Sequence, residues 1–106
     1  MAWFILIAAG LLEVVWAFAM KQSHGFTRLG PTVVMAVTMA GSVGLLALAM
    51  RTLPLGTAYT IWTGIGAVGA FLVGVTLLGE AASPARVIAA VLIVAGLVTM
   101  KLASPS

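Results

Sequence analysis

The sequence predicts an all-α membrane protein with four transmembrane helices, and three observations carry that prediction. Of 106 residues, 63% are hydrophobic and 7% charged, with a mean hydropathy of +1.27, so there is too little polar surface to cover a soluble domain. The apolar residues collect in four stretches, 2–20, 29–50, 58–78 and 84–101, and the basic residues lie at their ends. Each stretch is close to the ~20 residues that cross a ~30 Å hydrocarbon core at 1.5 Å per residue. Brief connections between them make residues 1–106 a single four-helix domain.

The first stretch contains Ala17-Phe18-Ala19, a small-x-small pattern also found at signal-peptide cleavage sites. Its amino end has no Lys or Arg, its apolar run exceeds the usual ~7 to 15 residues, and Glu13 sits near its middle, so a retained helix is predicted. The second stretch starts after Lys21 to Arg28 and ends before Arg51. The third follows a Pro54 turn. Its Gly66, Ala70 and Gly74 fall at four-residue spacing, a small-residue stripe that lets backbones approach closely, while Gly64, Gly66 and Gly69 weaken the same segment, making Gly64 and Gly66 candidates for packing or a hinge. The fourth is introduced by Ser83, suited to an N-cap, and Pro84, suited to the first helical position. It is the shortest of the four, with Arg86 and Lys101 reaching to the interface. Its stripe of Ala89, Ile93, Gly96 and Met100 is assigned to dimer contact. The six methionines are scattered filler.

With four spans, Arg51 and Lys101 share one side and Lys21, Arg28 and Arg86 the other. Orientation follows Lys and Arg bias in short loops, so a near-tie predicts insertion in both directions. The competing reading is that one extra basic residue, with the amino terminus, selects a single orientation; charge alone leaves the two level. Four helices enclose little, whereas alternating access needs two groups of helices moving around a midplane site. Two oppositely inserted copies would supply that inverted repeat, an antiparallel dual-topology homodimer with two Glu13 carboxylates facing one cavity.

Several classes drop out. There is no cysteine, one histidine and two carboxylates, which is too little for a protein-only metal site. No phosphate-binding glycine loop is present, so uphill work must draw on an ion gradient, and neither a cofactor nor a catalytic residue is predicted. The net charge of +3 comes from interfacial anchors, not a nucleic-acid footprint.

Glu13 is the functional candidate, since a charged side chain at the bilayer centre costs roughly 2.5 to 3.5 kcal/mol on insertion scales. Ala9, Gly10, Trp16 and Ala17 share its helical face. On the third span Tyr59 and Trp62 are three residues apart, with Thr63 one turn on. A carboxylate with aromatic rings suits an organic cation, each ring face adding about 0.5 to 2 kcal/mol. Tyrosine and tryptophan also form interfacial belts, which explains Trp3; Trp62 lies too deep for that. Glu80, Lys101 and His24 are expected in solvated interfacial roles.

Gly10 to Ala17 reading GLLEVVWA, Lys21 to Arg28 reading KQSHGFTR and Leu53 to Gly66 reading LPLGTAYTIWTGIG resemble the small multidrug resistance transporters across all four spans. Trp16, in place of the glycine usual in exporters of polyaromatic and quaternary ammonium drugs, together with the Ser-His-Gly-Phe and Trp-Thr-Gly-Ile-Gly wording, resembles the guanidinium exporter subtype. The resemblance implies an antiparallel homodimer in the bacterial inner membrane in which Glu13 binds either a proton or guanidinium. By the same match Trp16, Ser42, Tyr59 and Trp62 complete the pocket, with Ser42 as a partner of Glu13, although a serine in a membrane helix more often bonds its own backbone. Guanidinium is planar and offers paired N–H donors that fit a carboxylate as a fork. Three other readings stand beside this one: a multidrug exporter of the same family, which Trp16 opposes; a lipid-linked substrate flippase subunit with an obligate partner; and a non-transporting assembly subunit in which Glu13 only holds helices together.

Overall fold

A computed structural model describes residues 1–104 and contains four helices: α1 Ala2–Gln22, α2 Leu29–Ala49, α3 Leu55–Leu77 and α4 Pro84–Ala103. All four are long and apolar enough to cross a membrane. With 20 to 23 residues each, they run about 30 to 35 Å at 1.5 Å per residue.

Most helix ends fall within two residues of expectation, and the start of α3 moves furthest. α3 starts at Leu55, because Pro54 stands at the N-cap in extended conformation and its carbonyl accepts from the Ala58 N–H at 2.9 Å. Pro54 therefore opens the helix, with Gly56 and Thr57 in its first turn. α4 extends to Ala103 and, at 20 residues, remains the shortest of the four, though by a single residue. Ser83 caps it as expected, its hydroxyl accepting from the Arg86 N–H at 3.3 Å.

The helices form an open slab with Cα extents of 43 × 34 × 16 Å. α1 packs against both α2 and α3, and the backbone of α4 comes close to α3 alone, although its Lys101 side chain reaches the Trp3 ring of α1. No residue of α4 is buried. Inside the slab, Leu6, Ala9, Leu46, Ala49, Leu53, Ala58, Ile61 and Trp62 make the core.

Helical hydroxyls are mostly satisfied within their own helix. Thr32, Thr38, Thr76 and Thr99 donate to the carbonyls of Arg28, Val34, Leu72 and Ala95, at 2.6 to 2.8 Å. That pattern removes a polar group from the hydrocarbon without a partner helix. Ser42 is different, and its difference positions the site.

Candidate functional site

The α1–α3 seam is built from interlocking glycines. A Cβ on Gly10 would sit 2.8 Å from the Ile65 Cβ, so α1 offers a notch to a stiff, branched side chain of α3. In the other direction, Gly66 and Gly69 of α3 receive Glu13 and Val14 of α1; a Cβ on Gly66 would collide with the Glu13 carboxyl group. The carboxylate therefore lies against bare α3 backbone, midway along both helices. On the opposite side of α3, Gly64 receives Leu97 of α4. α3 runs unbroken through all three glycines, so Gly64 and Gly66 mark close approach, with no break in the helix at either.

Around Glu13, two polar atoms are buried without a hydrogen-bond partner, Glu13 Oε1 and Trp16 Nε1. One is an acceptor and the other a donor, three residues apart on α1. Unsatisfied buried polar groups are uncommon and costly, and where they cluster they mark a place where something else binds.

Ser42 is fully buried and bonded across helices. Its Oγ donates to the Ala9 carbonyl at 2.6 Å and accepts from Trp62 Nε1 at 2.9 Å. One hydroxyl thus ties α2 to α1 and α3. The serine's donor is committed to Ala9, one turn before Glu13, and its acceptor fixes the Trp62 indole. Trp62 is buried, and Tyr59 leans on it with ring centroids 5.5 Å apart at 49°. Tyr59 itself is 52% exposed and opens onto a groove between α3 and α4. It lies seven residues, roughly 10 Å along the axis, before Gly66. A single chain therefore gathers Glu13 with Trp16, and Ser42 with Tyr59 and Trp62, as two adjoining clusters.

Ile93 and Gly96 rim the α3–α4 groove beside Tyr59, a cavity of about 520 Å³, while Ala89 and Ile93 line a smaller one against Phe71. Sequence reasoning missed Leu97, the α4 residue that fills the notch at Gly64 of α3, and the seat that Gly69 gives to Val14. No periodic signal separates Leu97 from its apolar neighbours; only Gly64 facing it does. At the helix ends, Lys101 Nζ lies 4.4 Å from the centre of the Trp3 ring. His24, Gly25 and Phe26 take left-handed backbone angles in an exposed turn folded around Ser23, whose hydroxyl donates to the Met20 carbonyl at 2.7 Å and accepts from the Phe26 N–H at 3.1 Å.

The Small Multidrug Resistance protein family matches residues 1–103. A guanidinium exporter of Yersinia pseudotuberculosis is 60% identical over 104 residues, covering 98% of this chain and all of the relative. Guanidinium exporters of Citrobacter freundii and Salmonella typhimurium are each 57% identical over 104 residues, covering 98% of this chain and 99% of theirs.

Proposed function

The chain belongs to the Small Multidrug Resistance family, and from that premise we propose that it exports guanidinium across the bacterial inner membrane in exchange for protons, with both ions competing for Glu13. The observation that carries this reading is the seat of Glu13: a carboxylate in the middle of a membrane helix, pressed on Gly66, with a buried oxygen that no group among the described residues satisfies. A planar cation with paired N–H donors answers that oxygen. The relatives named as guanidinium exporters supply the substrate.

The working unit is an antiparallel homodimer. One chain is an open slab whose α4 has no buried residue, and whose aromatic pair stands apart from its carboxylate. A second copy closes the slab, brings two Glu13 groups to one cavity, and rests on the α4 stripe of Ala89, Ile93 and Gly96. Dual topology supplies the inverted partner. Trp16, Ser42, Tyr59 and Trp62 shape the pocket: Ser42 holds the Trp62 ring, and Trp16 directs its N–H toward the ligand. Transport then requires only that the loaded dimer, bearing protons or guanidinium, changes sides while the doubly charged empty form does not.

The test is current from purified protein in liposomes on addition of guanidinium, with Glu13→Gln and a quaternary ammonium drug in parallel. Guanidinium current that vanishes in Glu13→Gln, and proton release when guanidinium is added to solubilised wild-type protein, are the expected results. Guanidinium binding that does not change with pH between about 6 and 9 overturns competition at one carboxylate. Current with the drug alone would move the chain to the multidrug subtype.

A further inference from the structure

The second carboxylate of the chain, Glu80, also lies on a glycine of α3. A Cβ on Gly74 would stand 2.7 to 3.1 Å from the Glu80 carboxyl atoms, and the Glu80 N–H donates to the Gly74 carbonyl at 3.0 Å. The group held by this carboxylate is a guanidinium. Arg86 Nη2 lies 3.5 Å from Glu80 Oε1, Nη1 donates to the Ala81 carbonyl, and the Arg86 Cζ stands 5.1 Å from the centre of the Phe71 ring. Carboxylate, carbonyl and ring face are the three kinds of partner a planar cation uses.

These residues stand at the mouth of a cavity of about 360 Å³. It follows the α1–α3 seam inward past Ala17 and Ala70 to Val14 and Ala67, the sequence neighbours of Glu13 and Gly66. We propose that Glu80, the Ala81 carbonyl and Phe71 form a second guanidinium-binding site, occupied here by the chain's own Arg86, where a free guanidinium exchanges with the arginine on its way along the seam. Both side chains of the pair are 43% exposed, so water screens them and the arginine leaves readily. Lys21 lines the same cavity and opposes retention of any cation. The mouth is thus a weak waypoint and Glu13 the committed site. The waypoint role rests on the export reading; binding at the mouth does not.

The experiment uses ¹⁵N-labelled full-length protein in bicelles, carrying Glu13→Gln so that the central carboxylate is removed, titrated with guanidinium chloride against matched sodium chloride. Adding Arg86→Ala vacates the mouth. Saturable shifts at the Gly74 and Glu80 amides are expected, with a midpoint about two- to fivefold lower than with Arg86 present, the scale set by an exposed ion pair. Adding Glu80→Gln should abolish them. Shifts that survive Glu80→Gln, or a midpoint indifferent to Arg86, overturn the proposal. So does a mouth that answers to phosphate and not to guanidinium, which would make Lys21 and Arg86 an anion site. Failure of wild-type protein to carry guanidinium current would fault the export reading and leave binding at the mouth intact.

Discussion

Two carboxylates serve this chain, and α3 seats each on a glycine, yet their surroundings are opposite. Glu13 lies on Gly66 in mid-span with a buried, unpartnered oxygen. Glu80 lies on Gly74 at the helix end, half exposed and engaged with Arg86. Glycine lets a carboxylate reach helix backbone in both places; what differs is whether the chain supplies the cation. Where it does, the pair is structural and solvated. Where it does not, the proposed function has guanidinium or a proton take that place. The sharpest way to break the contrast is to neutralise each in turn. Glu13→Gln should reduce guanidinium current to background while the dimer still forms, whereas Glu80→Gln should keep the maximal rate and weaken apparent affinity about two- to fivefold, as loss of an exposed pair would. Liposome currents over a range of guanidinium concentrations decide it, and equal losses from both variants would erase the distinction.

The glycines offer the next largest effect. In Gly66→Ala the new methyl meets the Glu13 carboxyl in a packed seam, so overpacking of about 1 to 3 kcal/mol falls on the binding geometry. Apparent guanidinium affinity should drop at least about fivefold, the equivalent of roughly 1 kcal/mol. Gly74→Ala places its methyl against the end of an exposed, flexible side chain that can swing into water, and should change affinity by less than about twofold, well within an exposed pair's worth. Binding titrations on the two variants side by side test whether the mid-span seat is the tight one.

Much of this contrast was legible in the sequence, and the illegible part has a common cause. Four spans follow from composition and length because hydrocarbon thickness imposes both. Glu13 stood out because its cost does. The Gly66-Ala70-Gly74 stripe pointed to close approach but not to what would approach, since a glycine specifies space and says nothing of its occupant. That Glu13, Val14 and Leu97 fill Gly66, Gly69 and Gly64 is set by register between helices far apart in the chain. The partners of Ser42 within the chain were hidden for the same reason: Ala9 and Trp62 lie 33 and 20 residues away. That four helices enclose little was legible from their number; that the backbone of α4 comes close only to the helix it follows was not, because short loops make neighbours without saying which further helix each one meets. The start of α3 was lost locally, since proline can end a loop or open a helix.

Ser42 gives the third comparison, between a hydroxyl that joins helices and one that serves its own. Ser42→Ala leaves the Trp62 N–H and the Ala9 carbonyl facing each other's vacancy in the core, and an unsatisfied buried donor costs about 1 to 3 kcal/mol. Thr99→Ala removes an exposed hydroxyl that only bonds Ala95, a change expected within about 0.5 kcal/mol. Thermal unfolding of the purified variants should separate them, and the Trp62 emission spectrum should move only in Ser42→Ala. Equal melting temperatures would mean that the indole finds another acceptor.

The smallest expected effect sits beside Glu80 and checks that its region is held by local structure. Ser83 caps α4 by accepting from the Arg86 N–H, and that first turn also carries the Arg86 guanidinium toward Glu80. Ser83→Ala removes the cap at an exposed helix end, where the loss is about 0.5 to 1 kcal/mol. Fraying should be confined to the first turn, because the backbone of α4 comes close only to α3 and Leu97 anchors it three turns further along. Amide exchange at Val87 and Arg86 should therefore quicken about two- to fivefold, the Boltzmann factor of that loss, while exchange in the Glu13 turn of α1 stays unchanged. The mouth can loosen without disturbing the mid-span seat only if the two carboxylates are independent sites on one helix. A matching change around Glu13 would mean that α3 transmits the disturbance along the seam, and the waypoint and the committed site would then be one coupled unit.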